Sequence, residues 1–329
     1  MARIGRRTFS KSAGLAVAAG ALPRLAAPAF AQSKWPDKPV KFIVPLAPGG
    51  AIDFVARACG EVLSRTLGHQ IVVENRTGAG GTVGMNSAME SAPDGYTVLI
   101  TNDNAASAPH ILKLPHDYTK TLVPIIDLAH QPLVLGVHPS LGVNSVAEYV
   151  ARAKKSPAVG FGSSGVGSNQ HVLGEWFARE AGVKLDHIPY RGAGQAVNDL
   201  VAGHVGSALL GPTALISHHK AGTIKIIGQS TATRAPTLPD IPTLQESGYK
   251  DLVLDVWYAA FAPPGTPPAL VKELNAALEM SLKDPKLREN FEKGSLEPIG
   301  GPPEKLGELA RADSIKYERL IRELNIRAG

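Results

Sequence analysis

Four times along the chain, a short stretch rich in β-branched residues runs into a glycine-rich loop that opens directly onto a helical pattern. The loops are Pro45-Leu46-Ala47-Pro48-Gly49-Gly50, Gly78-Ala79-Gly80-Gly81-Thr82, Ser163-Ser164-Gly165-Val166-Gly167-Ser168 and Tyr190-Arg191-Gly192-Ala193-Gly194. The strands predicted before them are Val40 to Val44, Gln70 to Glu74, Ala158 to Gly162 and Leu185 to Tyr190. This alternation predicts parallel α/β sheets, because a parallel neighbour is reached only through a crossover, usually a helix. In the first unit Val55, Ala58, Cys59, Val62, Leu63 and Leu67 recur at helical spacing, and Gly68 is placed to end the helix. Helices are also predicted over Val83 to Ser91, Asn169 to Ala181 and Gln195 to Ala202, and a further strand over Tyr96 to Thr101. Cys59 sits on an apolar stripe and reads as a buried, inert thiol. As the single cysteine it excludes an intramolecular disulfide and a cysteine-rich zinc module.

Two segments break the alternation. Val123 to His138 is long and extended, interrupted by Pro124 and Pro132, and Leu252 to Ala262 is similar, ending in Pro263-Pro264-Gly265. One α/β set lies between them and another outside them, which predicts two α/β domains joined by a two-segment hinge. The first lobe takes residues 32–129 and 258–329, and the second takes 130–257. Helices expected over Pro267 to Lys283 and Pro303 to Leu324 return to the first lobe. Leu306, Leu309, Ala310, Tyr317, Leu320, Ile321 and Leu324 supply the docking face of the last one.

The charge of +5 and the pI near 9.2 invite a nucleic-acid reading, so the position of the charge matters. Residues 1–31 have the three parts of a cleaved export signal: a basic start, an uncharged stretch from Ser12 to Pro23, and the small-x-small site Ala29-Phe30-Ala31. Arg6-Arg7-Thr8-Phe9-Ser10-Lys11 resembles a twin-arginine signal, with an ordinary secretory signal as the alternative. Either route leads to the periplasm. The segment carries Arg3, Arg6, Arg7, Lys11 and Arg24 and no acid, so 29 basic residues remain beside 29 acidic ones. The processed chain is formally neutral and lacks the footprint of a nucleic-acid binder. No later stretch is long and apolar enough to span a membrane.

The chemistry lies in the four loops. The first N–H groups of a helix have no intrahelical partner, and the helix dipole adds partial positive charge there. Glycine removes the Cβ that would hold a ligand off the backbone. Such a loop is a site for a carboxylate or phosphate, and two pairs facing across a cleft can grip both ends of a small dianion. About five or six hydrogen bonds to charged groups suffice for micromolar affinity, without a buried Lys or Arg. The rival assignments have no support: there is no Walker loop, no G-x-S-x-G elbow and no H-E-x-x-H. Gly160-Phe161-Gly162-Ser163-Ser164-Gly165 matches G-x-G-x-x-G by letter, but its unit has no second strand ending in an acid at the right distance. No cofactor, metal site or catalytic constellation is expected. His171 reads equally as ligand-facing or as helix-start packing, and His187 as structural. Asp53 in the first turn of its helix reads equally as dipole stabiliser or as a group that orients a water or ligand.

Seven blocks in this order carry a family resemblance. They are Pro45-x-x-Pro48-Gly49-Gly50-x-x-Asp53, Val73-Glu74-Asn75-Arg76-x-Gly78-Ala79-Gly80-Gly81, Pro93-Asp94-Gly95-Tyr96-Thr97, and Gly165-x-Gly167-Ser168 with His171. Pro189-Tyr190-Arg191-Gly192, Pro239-Asp240-Ile241-Pro242-Thr243 with Glu246 and Gly248, and Ala262-Pro263-Pro264-Gly265-Thr266-Pro267 complete them. Over essentially the whole processed chain, they resemble the Bug-type extracytoplasmic solute receptors of tripartite tricarboxylate transporters. The resemblance implies a bilobal type II periplasmic-binding-protein fold that closes like a Venus flytrap on a small di-, tri- or aromatic carboxylate. It implies a monomeric periplasmic protein that delivers this ligand to membrane subunits and is not an enzyme. Carried over residue by residue, it points to Gly50, Ala51, Asp53, Gly81 and Thr82 in the first lobe. In the second lobe it points to Ser163, Ser164, Ser168, Asn169, His171, Tyr190 and Gly192. Arg191 stands where a lysine is often found. The alternatives are a secreted enzyme using the same cleft and a ligand receptor for a sensor kinase.

Overall fold

The computed structural model describes residues 35–155 and 159–327. The expected signal, 1–31, lies outside the described residues, as does Ala158 at the start of one expected strand.

The chain begins with β1 (Val40–Val44), α1 (Ala51–Leu67), β2 (Ile71–Asn75), α2 (Thr82–Met89) and β3 (Thr97–Asn102). α3 (Asn104–Ile111), α4 (Tyr118–Thr121), β4 (Val123–Pro132) and β5 (Val134–Val137) follow. The middle of the chain holds α5 (Val146–Lys155), β6 (Val159–Ser163), α6 (Asn169–Ala181), β7 (Leu185–Pro189), α7 (Ala193–Val201), β8 (Ser207–Leu210), α8 (Pro212–Lys220) and β9 (Lys225–Gln229). β10 (Asp255–Ala262), α9 (Pro268–Ser281), α10 (Pro285–Lys293), β11 (Glu297–Pro298) and α11 (Pro303–Leu324) close it. Among the described residues no helix is long and apolar enough to cross a membrane.

Two sheets result, in the orders β11-β4-β10-β3-β1-β2 and β7-β6-β8-β5-β9. The first is parallel at β2-β1-β3, where Phe42 faces Val73 and Val98 in register. The second is parallel at β7-β6-β8. The parallel α/β sheets predicted by the alternation are found at these strands, and each sheet also carries antiparallel ones. β10 runs antiparallel to β3 and β4, and β5 runs antiparallel to β8 and β9. The antiparallel strands are the extended segments that the sequence set apart. They pass from one sheet to the other, so they enter each sheet against the direction of the helix-linked strands.

The extended segment from Val123 to His138, which the sequence shows interrupted at Pro132, is two strands. β4 ends at Pro132, Leu133 turns the chain out of the first sheet, and β5 begins the second. The return runs from β9 through Ser230 and Leu254 into β10. Ser230 stitches the two crossings together. Its hydroxyl accepts the Leu133 N–H at 2.9 Å and donates to the Leu254 carbonyl. Its N–H donates to the Leu133 carbonyl at 2.9 Å, and its carbonyl accepts the Leu254 N–H at 2.8 Å.

Each sheet has its own core. Phe42, Val44, Leu99, Ile126, Trp257 and Phe261 are buried in the first. Val134, Leu200, Ala208, Leu210, Leu215 and Ile226 form part of the second. A buried side chain of this size contributes about 1.5–3 kcal/mol, and the apolar runs of β1, β8 and β10 suit strands covered on both faces. Helix ends follow local chemistry. α1 stops at Gly68 (φ 71°) and α6 at Gly182 (φ 63°), both left-handed caps. α11 packs on α3 and β4, so the last helix returns to the first sheet.

Candidate functional site

All four glycine-rich loops lie at the carboxyl ends of parallel strands β1, β2, β6 and β7, where open α/β sheets bind ligands. Side chains that bond back to the backbone fix each loop. In the first, the Gly49 N–H donates to Asp53 Oδ2 at 3.3 Å, and Asn75 Nδ2 donates to both Asp53 Oδ1 and the Leu46 carbonyl at 3.0 Å. Arg57 Nε lies 3.0 Å from Asp53 Oδ2. Asp53 is 6% exposed. Burial pushes its pKa up, but the bonds from Arg57, Asn75 and Gly49 outweigh this and leave it below the usual carboxylate value. In the second loop Gly80 (φ 64°) and Gly81 (φ 99°) take left-handed conformations, and Thr82 Oγ1 donates to the Ala79 carbonyl at 3.0 Å.

In the third loop Ser163 Oγ accepts the Gly165 N–H at 3.1 Å. Ser168 Oγ donates to the Gly165 carbonyl at 2.7 Å while capping α6 through the His171 N–H. The Ser164 N–H donates to Gln170 Oε1 at 3.1 Å. In the fourth, the Arg191 N–H donates to Gln195 Oε1 at 3.2 Å, the Tyr190 hydroxyl donates to Asp199 Oδ2 at 2.7 Å, and Gly192 precedes α7.

The loops of the two sheets meet. The Ala47 N–H donates to the Arg191 carbonyl at 3.1 Å. A Cβ on Gly80 would lie 2.1 Å from the Val166 carbonyl oxygen, and one on Gly192 2.8 Å from the Ala47 nitrogen. Ser107 Oγ donates to the Gly167 carbonyl at 2.6 Å. Asn169 binds Asn104 Oδ1 through its N–H at 3.0 Å and Asp103 Oδ1 through its side-chain amide.

Three cavities with shared lining residues follow this seam. The central one, of about 20 Å³, is lined by Leu46, Gly50, Asp53, Asn102, Ser164 and Tyr258. That is room for about one water, so anything larger reaches it only when the loops part. A cavity of about 220 Å³ adjoins it, lined by Leu46, Gly81, Ser164, Val166, Tyr190 and Arg191. Another, of about 310 Å³, is lined by Gly49, Gly50, Asp53, Arg57 and Thr213. Arg57 is already matched by Asp53 at 2.9 Å.

Of the expected site residues, the structure brings Gly50, Asp53, Gly81, Ser164 and Tyr190 to cavity walls. Ala51, Thr82, Ser163, Ser168, Asn169, His171 and Gly192 lie beside the seam but line none of the three. The His171 ring stacks on His187, with centroids 3.9 Å apart, and His187 stacks on Phe161 and bonds Ser163 Oγ at 2.6 Å. Burial lowers both histidines, His171 to about 4 and His187 to about 3, so the pair is neutral at pH 7. Sequence reasoning missed Asn102, Gln170 and Tyr258 at the central cavity. The polar run Asn102-Asp103-Asn104 directly after an apolar strand was a signal for the first. Tyr258, inside an otherwise apolar strand, offered none.

The chain matches, over residues 55–326, the family described as tripartite tricarboxylate transporter family receptor. Protein BugT of Bordetella pertussis (strain Tohama I) is 32% identical over 303 residues, covering 91% of this chain and 93% of BugT. A structure of an R. palustris protein with adipate superposes with a TM-score of 0.85 at 29% identity, covering 89% of this chain and 99% of that one. MatC from Rhodopseudomonas palustris with bound malate superposes with a TM-score of 0.81 at 27% identity, covering 87% and 99%.

Proposed function

The chain belongs to the tripartite tricarboxylate transporter receptor family, and from that premise we propose that it captures a small carboxylate between its two lobes and delivers it to transporter membrane subunits in the periplasm. The observation that carries this reading is the convergence of the four glycine-rich loops on one seam of cavities. The chain changes sheet at Leu133 and again between Ser230 and Leu254, so the lobes divide a few residues inside the expected 130 and 257 boundaries, and they part about the crossings joined at Ser230. The ligand carboxylates are held by backbone N–H groups of the loops around Gly50, Gly81 and Ser164, with Asn102, Gln170 and Tyr258 reading the remainder. Closure then excludes water and strengthens those bonds. The bound adipate and malate of two structural relatives support a carboxylate as the ligand class.

Titration of the purified chain with adipate, malate and aromatic carboxylates tests this. A ligand that binds only the folded chain raises the melting temperature, by about 2.7 kcal/mol of stabilisation at a hundredfold excess over Kd. X-ray scattering of the same sample reads compaction. A panel in which no carboxylate raises the melting temperature overturns the reading.

A further inference from the structure

Two amide side chains, one from each sheet, line the central cavity: Asn102 at the end of β3 and Gln170 in the first turn of α6. Their neighbours clasp the sheets together at this point. The Asn169 N–H donates to Asn104 Oδ1 at 3.0 Å, and the Asn169 side chain donates to Asp103 Oδ1. Asn102 is 2% exposed and Gln170 5%.

Backbone donors fix which way both amides point. Asn102 Oδ1 accepts the Asn104 N–H at 3.2 Å. Gln170 Oε1 accepts the Ser164 N–H at 3.1 Å and the Ser164 hydroxyl as well. A backbone N–H can only donate, so each amide has its oxygen engaged and its nitrogen free. Among the described residues neither Asn102 Nδ2 nor Gln170 Nε2 has a hydrogen-bond partner. Neither is sealed in the interior as the unpartnered Asn169 Oδ1 is. Both therefore keep open surface, and the surface their residues present is the wall of the central cavity.

The other polar groups of that wall are already engaged. Asp53 accepts from the Gly49 N–H, Asn75 and Arg57, and Arg57 matches its charge at 2.9 Å. The Ser164 and Tyr258 hydroxyls are bonded to Gln170 and Gln131. Among the described residues no Lys, Arg or His lines this cavity. Because it has room for about one water, a single oxygen seated in it comes within reach of both amide nitrogens.

We propose that Asn102 Nδ2 and Gln170 Nε2 are the specificity-determining pair of the cleft. From opposite lobes they close on one acceptor oxygen at the far end of the ligand, and they turn away a ligand that carries an ammonium group there. The inference rests on the carboxylate reading of the cleft and names which carboxylates it takes, those with a second carboxylate or carbonyl oxygen. An ammonium has donors and no acceptor. It would meet donor against donor, and the cost of stripping its water would go unreturned.

Calorimetric titration with succinate, glutarate and adipate, and with γ-aminobutyrate, δ-aminovalerate and ε-aminocaproate, tests the pair. Each amino acid keeps one carboxylate and puts an ammonium in place of the other. The native chain binds a dicarboxylate at least about tenfold more tightly than its amino counterpart. Gln170→Glu and Asn102→Asp keep the oxygen that takes the backbone N–H and turn the free nitrogen into an anionic oxygen of nearly the same shape. Each weakens the dicarboxylate and strengthens the amino acid, so the ratio of affinities falls at least about tenfold. A gain of affinity for the amino acid cannot come from loss of fold. A ratio unchanged in either variant overturns the inference and leaves the carboxylate reading standing on the native titration. Absence of binding by all of these dicarboxylates to the native chain also overturns it, and the aromatic carboxylates then decide the carboxylate reading separately.

Discussion

At Asp53 burial and hydrogen bonding act in opposite directions. Burial raises the carboxyl pKa, and the bonds from Arg57, Asn75 and the Gly49 N–H lower it by more. A carboxyl whose folded pKa is depressed contributes stability above its unfolded value, about 3.9, and loses it as pH falls through the folded value. Asp53→Ala removes the acceptor that orders the first loop and leaves Asn75 and Gly49 short of a partner. The expected loss is about 1–3 kcal/mol near pH 7, kept to that range because Arg57 is half exposed and screened by water. Urea denaturation of the native chain and Asp53→Asn should give a gap that is widest at neutral pH and closes in acid below the ordinary carboxylate range. A gap independent of pH would show that the charge is not what orders the loop. Cys59, six residues further along α1, gives a second check at this scale. It is fully buried beside Ser281, and burial pushes its thiol up to about 12. Thiol reagents should leave it unmodified in buffer and label it in urea; labelling of the folded chain would contradict the packing of α1.

Among the elements, two glycines separate what builds a lobe from what brings lobes together. Gly174 lets α6 pack on β6, because a Cβ there would lie 2.3 Å from the Phe161 ring. Gly174→Ala is expected to overpack that core by about 1–3 kcal/mol, lowering the melting temperature and leaving the affinity of the folded fraction unchanged. Gly80→Ala costs about 1–2 kcal/mol in either form because Gly80 is left-handed (φ 64°). It also places its Cβ against the Val166 carbonyl of the facing loop, so the added cost falls on closure. Affinity for a cleft carboxylate is expected to fall at least about tenfold, with scattering that shows no compaction. Equal effects of the two variants on melting and affinity would refute this division. The same contrast explains what was legible in sequence. The strand, loop and helix of each glycine unit are local patterns, and α11 falls on the expected range Pro303 to Leu324. Pro132 marked where β4 ends, but the short strands β8 and β11 and the antiparallel run of β10 depend on partners far along the chain. At the cleft, glycine spacing marked the loops. Asn102 and Tyr258 are paired with it only by the register of β3 against β10, where Tyr258 faces Asn102. That pairing has no local periodicity to betray it.

For the molecule as a whole, the carboxyl of Asp103 links closure to pH. It is fully buried between the sheets, at the β3–α3 junction, and accepts bonds from the Asn169 side chain of α6 and the Tyr317 hydroxyl of α11. The other charged groups facing it are Asp313, which holds the Trp257 N–H at 2.8 Å, and Lys316. Burial dominates, Asp313 adds to it, and the bonds from Tyr317 and Asn169 oppose it; together they raise the pKa to about 8. Parting of the lobes removes Asn169 and admits water, which returns the pKa toward its ordinary value. The closed form therefore holds a proton that the open form releases. A carboxyl raised in this way contributes its full stability to the closed form below its open-state pKa, and loses it as pH rises through about 8. Affinity for a carboxylate that is fully ionised throughout should weaken steadily from about pH 6 to about pH 8 and then level off. Asp103→Asn cannot release a proton, so its affinity should be flat across that interval while its contacts with Asn169 and Tyr317 remain within reach. Calorimetric titration of both chains in buffers of different ionisation enthalpy would also show proton uptake on binding in the native chain and none in Asp103→Asn. A native affinity that stays constant over the interval would mean that closure does not desolvate Asp103, and that the contact across the seam from Asn169 is made and broken without any charge being gained or lost.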